Sequence, residues 1–258
     1  MESEIYNRQF EVNEKEPAQP DLRVDFIRHG KPEYTDEERK STKFEGILTE
    51  EGINQIKNKA LELAGQIDKE SELVVFWVSP RGRARQTAEI LYNILQEQNI
   101  PVIKDLKTVG SLSDVKMSPD FIKDLLKNNA IGKWMEYWAE SDLPEDTEKP
   151  DEVKKRVERI ITYLERIARQ VIPAGNKKLH FICVGHEEIF RDILEEGYGL
   201  GTKNSTGPSY GEVMSMKIRK SEQGQDAVLE LRYKGQEANL GFNKESRKFF
   251  KQENQENI

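Results

Sequence analysis

Apolar residues along this chain follow two alternating rhythms. Short unbroken runs at Leu22-Arg23-Val24-Asp25-Phe26-Ile27, Leu73 to Val78 and Leu179 to Val184 have the length and β-branched or aromatic content of buried strands. Between them the spacing becomes helical. Ile53, Ile56, Ala60, Leu63 and Ile67 follow Thr49, a suitable helix cap, and Ala84, Ala88, Leu91 and Leu95 follow Pro80. Val102-Ile103 begins a further short strand. After Pro150 a longer amphipathic helix buries Val153, Val157, Ile160, Ile161, Leu164, Ile167, Ala168 and Val171. Val213 to Ile218 and Ala227 to Leu231 alternate in hydropathy across Ser221-Glu222-Gln223-Gly224-Gln225, the pattern of an antiparallel edge hairpin.

Alternating strands and helices predict an α/β fold, a three-layer sandwich around a mostly parallel central sheet with that hairpin at its edge. Residues 105–149 break the rhythm and read as a helical insertion. Trp134, Tyr137 and Trp138 stand close together within it, either lining a substrate pocket or packing the insertion itself. Residues 1–20, acidic and holding Pro17 and Pro20, read as a mobile N-terminal arm, and residues 241–258 as a polar C-terminal tail. Residues 21–240 are then one catalytic-size domain.

Charge narrows the partners. A net charge of -7 over 258 residues argues against a nucleic-acid footprint, which needs a basic face. Arg28, Lys31, Arg81, Arg83 and Arg85 nevertheless offer a local basic pocket suited to a small anionic ligand. Arg81 and Arg85 can equally be solvated helix charges. The single cysteine, Cys183, lies in an apolar run and leaves no intrachain disulfide or cysteine metal cluster to form. No run of apolar residues is long enough to span a bilayer, and no basic segment leads into an apolar one at the N-terminus. The expectation is a cytoplasmic protein without a membrane partner.

The candidate chemistry sits where apolar runs end. Arg28-His29-Gly30 closes the first, Ser79-Pro80-Arg81-Gly82-Arg83 the second and Gly185-His186 the third. Phosphoryl transfer needs a nucleophile, positive groups on the nonbridging oxygens and a proton for the leaving group. A neutral imidazole can attack phosphorus, so His29 and His186 with Arg28 and Arg83 can supply the first two without a metal or an organic cofactor. His180, the remaining histidine of three, falls near the start of its strand and reads as structural or surface.

These residues resemble the histidine phosphatase superfamily, also called phosphoglycerate mutase-like. The resemblance rests on Arg28-His29-Gly30, on Leu48-Thr49-Glu50-Glu51-Gly52, on Ser79 to Arg83 continuing through Ala84-Arg85-Gln86-Thr87-Ala88, and on Gly185-His186 with Arg191 downstream. It implies that His29 is the phosphorylated nucleophile and that Arg28, Arg83 and His186 complete the phosphate pocket. Ser79-Pro80 and Gln86-Thr87 would be scaffold around Arg83, with Thr49 a helix cap and Gly52 a close-packing site. It further implies an acidic group after the third strand, for which Asp114 is the local match, either as general acid or as a solvated loop aspartate. Lys31 adds a substrate-binding charge.

Some positions depart from the family pattern. Lys31-Pro32 stands where an acidic residue and a hydroxyl are common, and Thr35 where mutase-type members carry Asn. Glu187-Glu188 replaces small residues after the second histidine, and the two carboxylates are expected to raise the pKa of His186 and repel a highly anionic substrate. The expected activity is a metal-independent phosphomonoesterase acting on a small phosphorylated metabolite or a phosphoprotein. A phosphoglycerate mutase-like phosphotransferase and a catalytically inactive phosphate-binding module are the alternatives.

Overall fold

The computed structural model describes residues 22–40, 44–171, 177–200, 207–219 and 226–252. The expected N-terminal arm and the loop expected at residues 221–225 lie outside the described residues. Parallel strands β1 (Leu22–Arg28), β4 (Glu72–Val78), β5 (Val102–Thr108) and β6 (Lys178–Gly185) form one half of an eight-stranded sheet. Strands β7 (Val213–Arg219), β8 (Ala227–Tyr233), β9 (Gln236–Asn243) and β10 (Lys248–Lys251) add an antiparallel half, in the order β10-β9-β8-β7-β1-β6-β4-β5. Two short strands, β2 (Pro32–Glu33) and β3 (Ile47–Leu48), pair apart from it, flanking α1 (Asp36–Lys40).

Helices cover both faces. Helix α2 (Glu50–Ala64) and helix α3 (Gly82–Glu97) bury Ile56, Ala60 and Leu63, and Ala84, Ala88, Leu91 and Leu95, against Val74, Phe76 and Ile182. On the other face α6 (Pro150–Gln170) and α7 (Glu187–Tyr198) pack Val157, Ile161, Leu164, Phe190 and Ile193 against Val24, Phe26 and Phe181. This is the expected three-layer α/β sandwich. Strand β5 runs further than Val102-Ile103 because it is an edge strand with several exposed side chains, so its apolar signal is thin.

The insertion holds α4 (Pro119–Lys127) and α5 (Trp134–Glu140), which form a small core of their own around Phe121, Leu125, Met135 and Trp138. Trp138 is fully buried and its indole N–H donates to the Glu148 carbonyl at 2.7 Å, so packing is the role its position supports. The polar tail expected from residue 241 is corrected: β9 extends to Asn243 and β10 follows, with Leu240, Phe242 and Phe249 buried against the α7 face. Only a few apolar residues stand among the Lys, Glu, Asn and Gln of this segment, and that composition made it read as a tail. The edge hairpin is accordingly the first part of a four-stranded antiparallel extension. No helix among the described residues is long and apolar enough to cross a membrane.

At the end of the sheet where β1, β4 and β6 begin, His180 is completely buried between two carboxylates. Its Nε2 lies 2.8 Å from Asp25 and its Nδ1 3.0 Å from Glu72, while Arg23 pairs with Asp25 at 3.0 Å. Burial opposes the charge on this imidazole, but the hydrogen bond to Asp25 and the Glu72 carboxylate beside Nδ1 outweigh it and raise the pKa above its ordinary value. A raised histidine pKa gives stability that is fully present below the unfolded value of about 6.5 and is lost as pH rises through the folded value. Denaturant titrations of the wild type should therefore show falling stability on the alkaline side. His180→Phe should lose about 3 kcal/mol, because the buried Asp25 carboxylate loses its closest partner and keeps only Arg23, and should no longer show that alkaline decline. An unchanged pH profile in His180→Phe would remove the charged bridge from this account.

Candidate active site

Register brings the site together. Pairing of β1 with β6 sets Arg28 opposite Gly185, so the His29 backbone N–H donates to the Gly185 carbonyl at 3.0 Å. Strand β4 continues the alignment, with the Ser79 N–H donating to the Val184 carbonyl at 2.9 Å. Three neighbouring parallel strands thus end at one level, where an α/β sheet commonly places its ligand. His29 and His186 meet edge to face there, their ring centroids 5.0 Å apart.

Hydrogen bonds fix what each imidazole can do. His29 Nδ1 lies 2.8 Å from the Gly30 carbonyl, which accepts only if Nδ1 carries the proton. Nε2 is then the lone-pair nitrogen, and Arg83 Nε donates to it at 3.1 Å. Burial foremost, with the Arg83 charge beside it, depresses the His29 pKa to about 3, so the ring is neutral through the physiological range. Arg83 Nη2 also stands 3.1 Å from His186 Nδ1, and Ser79 Oγ lies 2.8 Å from Nε2, which places the His186 proton on Nε2. Burial and then Arg83 hold the His186 pKa well below its ordinary value. The rise expected from Glu187 and Glu188 does not occur, because the carboxylates engage other partners and desolvation dominates.

Two arginines flank the pair. Arg83 is buried, and its Nη1 donates to the Phe44 carbonyl and, at 3.0 Å, to that of Glu45, while Nη2 reaches Asp114 at 2.8 Å. Arg28 bonds the Pro208 carbonyl at 2.6 Å and Glu187 at 2.8 Å, and lies 4.2 Å over the Tyr210 ring. Its Nε is buried without a hydrogen-bond partner among the described residues. Two neutral imidazoles between two guanidiniums form a pocket in which a tetrahedral oxyanion would find donors on several sides.

The scaffold follows from the motif residues. Thr49 Oγ1 accepts from the Gly52 N–H at 3.0 Å, capping α2, and a Cβ on Gly52 would come within 2.3 Å of the Lys31 carbonyl oxygen. Only glycine lets the start of α2 pack against the loop that runs from His29 to Lys31. Thr87 Oγ1 accepts from the Gly30 N–H at 3.1 Å, and Gln86 accepts from the Leu48 N–H at 2.7 Å. Arg156 donates to the carbonyls of Ser111 and Ser113 at 2.9 and 2.8 Å, holding the turn that presents Asp114.

Arg28, His29, Arg83, Asp114 and His186 therefore converge, and Lys31 does not join their contacts. Its ammonium pairs with Glu51 at 2.5 Å on the exposed side. Arg81, read as either pocket or solvent, enters the site through Asp114 at 2.7 Å and Glu45 at 2.8 Å, whereas Arg85 reaches Thr108 on the surface. Both Asp114 oxygens act as acceptors, from Arg81 and Ser113 on one side and Arg83 on the other, which is not the arrangement of a proton donor. The better placed proton store is Glu188, which the chain pattern did not single out for that role. It is buried and accepts from the Val115 N–H at 2.7 Å, and burial, then the nearby Asp114 charge, pushes its pKa up to about 7. Tyr34 and Tyr210 were also missed, since nothing in the spacing of a lone tyrosine marks it.

A family model described as histidine phosphatase superfamily (branch 1) matches residues 24–222. Among solved structures, a mycobacterial glucosyl-3-phosphoglycerate phosphatase complexed with VO3 aligns at a TM-score of 0.56 and 15% identity, covering 83% of this chain and 97% of that one. Mycobacterial hydrolase 1 aligns at 0.54 and 16%, covering 77% and 93%, and mycobacterial hydrolase 2 at 0.54 and 16%, covering 79% and 84%. At these identities the likeness is one of fold. No curated protein matches the chain.

Sulfate, an oxyanion that does not titrate near neutrality, reads the Glu188 proton directly. Glu188 is neutral below about 7 and adds a negative charge above it. Sulfate affinity measured by calorimetry should fall about fivefold from pH 6 to pH 8, what about one pKa unit of coupling gives across that window. In Glu188→Gln the fall should be shallower, and an identical slope in the variant would exclude Glu188 as its source.

Proposed function

The chain belongs to branch 1 of the histidine phosphatase superfamily, and on that premise we propose that it is a phosphomonoesterase acting through a phosphohistidine at His29. The observation that carries this reading is the fixed His29 tautomer: Nδ1–H is committed to the Gly30 carbonyl, which leaves the lone pair on Nε2, where Arg83 donates and His186 stands edge to face. A bound phosphomonoester takes the Arg83 hydrogen bond in place of that lone pair and sets phosphorus in line with Nε2. The N–P bond forms as the bond from phosphorus to the leaving-group oxygen breaks. That oxygen acquires a proton, and water then attacks phosphorus, releasing phosphate and returning neutral His29.

Charge placement supports the same sequence. Arg28 and Arg83 offer donors to the nonbridging oxygens, and the dianion offsets the charge that keeps His186 deprotonated at Nδ1, so His186 gains a proton there and becomes a further donor. Arg83 leaves Asp114 when it turns to the phosphate. Asp114 stays paired with Arg81, and Glu188 on α7, with its pKa pushed up to about 7, is the buried carboxyl that can supply the leaving-group proton and take one back from the attacking water.

Hydrolysis of a generic aryl phosphate, with chelator present, tests the reading. Wild-type turnover should persist in chelator and vanish in folded His29→Ala. Arg83→Ala should lower kcat/KM by roughly a thousandfold while the protein stays folded, in line with the worth of an arginine on a transferring phosphoryl group. Full activity in either folded variant would overturn the assignment, and tight phosphate binding without turnover by the wild type would favour a binding module.

A further inference from the structure

The cations of this site are already balanced. Arg28 is held by Glu187 at 2.8 Å, Arg81 by Glu45 at 2.8 Å, and Arg83 by Asp114 at 2.8 Å, so three guanidiniums meet three carboxylates within the pocket and its rim. Lys31, next along the rim, is matched by Glu51 in the same way. A phosphoryl dianion gains enough from Arg28, Arg83 and the imidazoles to displace Glu187 and Asp114 locally. A second anionic group on the same molecule would meet those displaced carboxylates and Glu45, with no uncommitted cation among the described residues of the site to receive it.

Aromatic rings occupy the rest of the mouth. Tyr210 lies under the Arg28 guanidinium and 5.5 Å from the His29 ring. Tyr34 stands 5.9 Å from the Arg83 guanidinium and packs edge-on against Phe44 at 5.5 Å. All three rings remain partly exposed. They form two walls, one beside each phosphate-binding arginine, and their faces suit a flat or ring-shaped group leaving from phosphorus.

We infer that the substrate is a phosphomonoester with a single phosphate on an uncharged, ring-bearing leaving group, selected by balanced charge at the pocket rim and by the Tyr34 and Tyr210 walls. This rests on the phosphomonoesterase reading and narrows it.

Binding to full-length His29→Ala, measured by calorimetry, separates selection from turnover. Three probes suffice: phenyl phosphate, 4-carboxyphenyl phosphate, which adds one charge to the same ring, and propyl phosphate, which removes the ring. Phenyl phosphate should bind about tenfold or more tightly than either of the others, the order of discrimination that one missing apolar contact or one repelled charge provides. Adding Glu45→Gln should narrow the gap to 4-carboxyphenyl phosphate, and adding Tyr34→Ala the gap to propyl phosphate. Equal or tighter binding of 4-carboxyphenyl or propyl phosphate overturns the inference, as does failure of phenyl phosphate to bind. Wild-type hydrolysis of all three at equal kcat/KM would overturn it while leaving the phosphomonoesterase reading intact. Selective binding with no wild-type turnover would overturn the phosphomonoesterase reading, and with it the claim of a substrate, leaving the same selectivity as that of a binding site.

Discussion

The bridge that His180 makes between Asp25 and Glu72 joins β1, β6 and β4 at one end, and the site at the other end depends on those three strands keeping step. A slip of one residue would turn every side chain of a strand to the opposite face. Here it would also leave ionised groups in the core without partners, a cost that hydrophobic side chains alone cannot impose. With the register fixed, Arg28 must sit beside Gly185 and Ser79 beside Val184, and His29 and His186 are delivered to the same level. A cluster about one strand length away thus specifies the geometry of the reacting groups.

The same burial acts on the three histidines in opposite senses. His180 lies between carboxylates and keeps a proton, while His29 and His186 lie beside Arg83 and give theirs up. Depressed histidine pKa values mean that the unfolded chain binds protons the folded one refuses, so the fold loses stability as pH drops below about 6.5. His29 and His186 are kept neutral at some cost to acid stability. The desolvation that makes the Nε2 lone pair available is supplied by ordinary packing: Ile56 beside Gly30, and α2 seated on the Lys31 backbone through Gly52.

Much of this was legible along the chain. Strand ends with a histidine or arginine just beyond an apolar run marked His29, Arg83 and His186, because a buried parallel strand needs an unbroken apolar stretch and its first polar residue is held at the sheet edge. Strand β10 was not legible: Phe249 is one buried ring in a polar segment, and its partner strand β9 alternates too briefly to stand out. Nor was the electrostatic behaviour of the carboxylates. Asp114, Glu187 and Glu188 are the same functional group, and only their neighbours differ. Asp114 faces two guanidiniums, Glu187 faces one, and Glu188 faces a backbone N–H in the dark of the core. Those neighbours come from segments far apart in the chain.

Adjacent positions on a helix point about 100° apart, and the first turn of α7 exploits that divergence. Glu187 turns toward Arg28, whereas Glu188 turns inward to the Val115 N–H and the loop that carries Asp114. Both also sit at the positive end of the α7 dipole, where a carboxylate is favoured before any side chain is considered. A pair of small residues in their place would leave Arg28 without its carboxylate and the Asp114 loop without its buried anchor. The site would then present more net positive charge and a looser acid, a pocket better suited to a polyanion. With two glutamates the same scaffold trades that attraction for a balanced rim, and discrimination passes from charge to the aromatic walls.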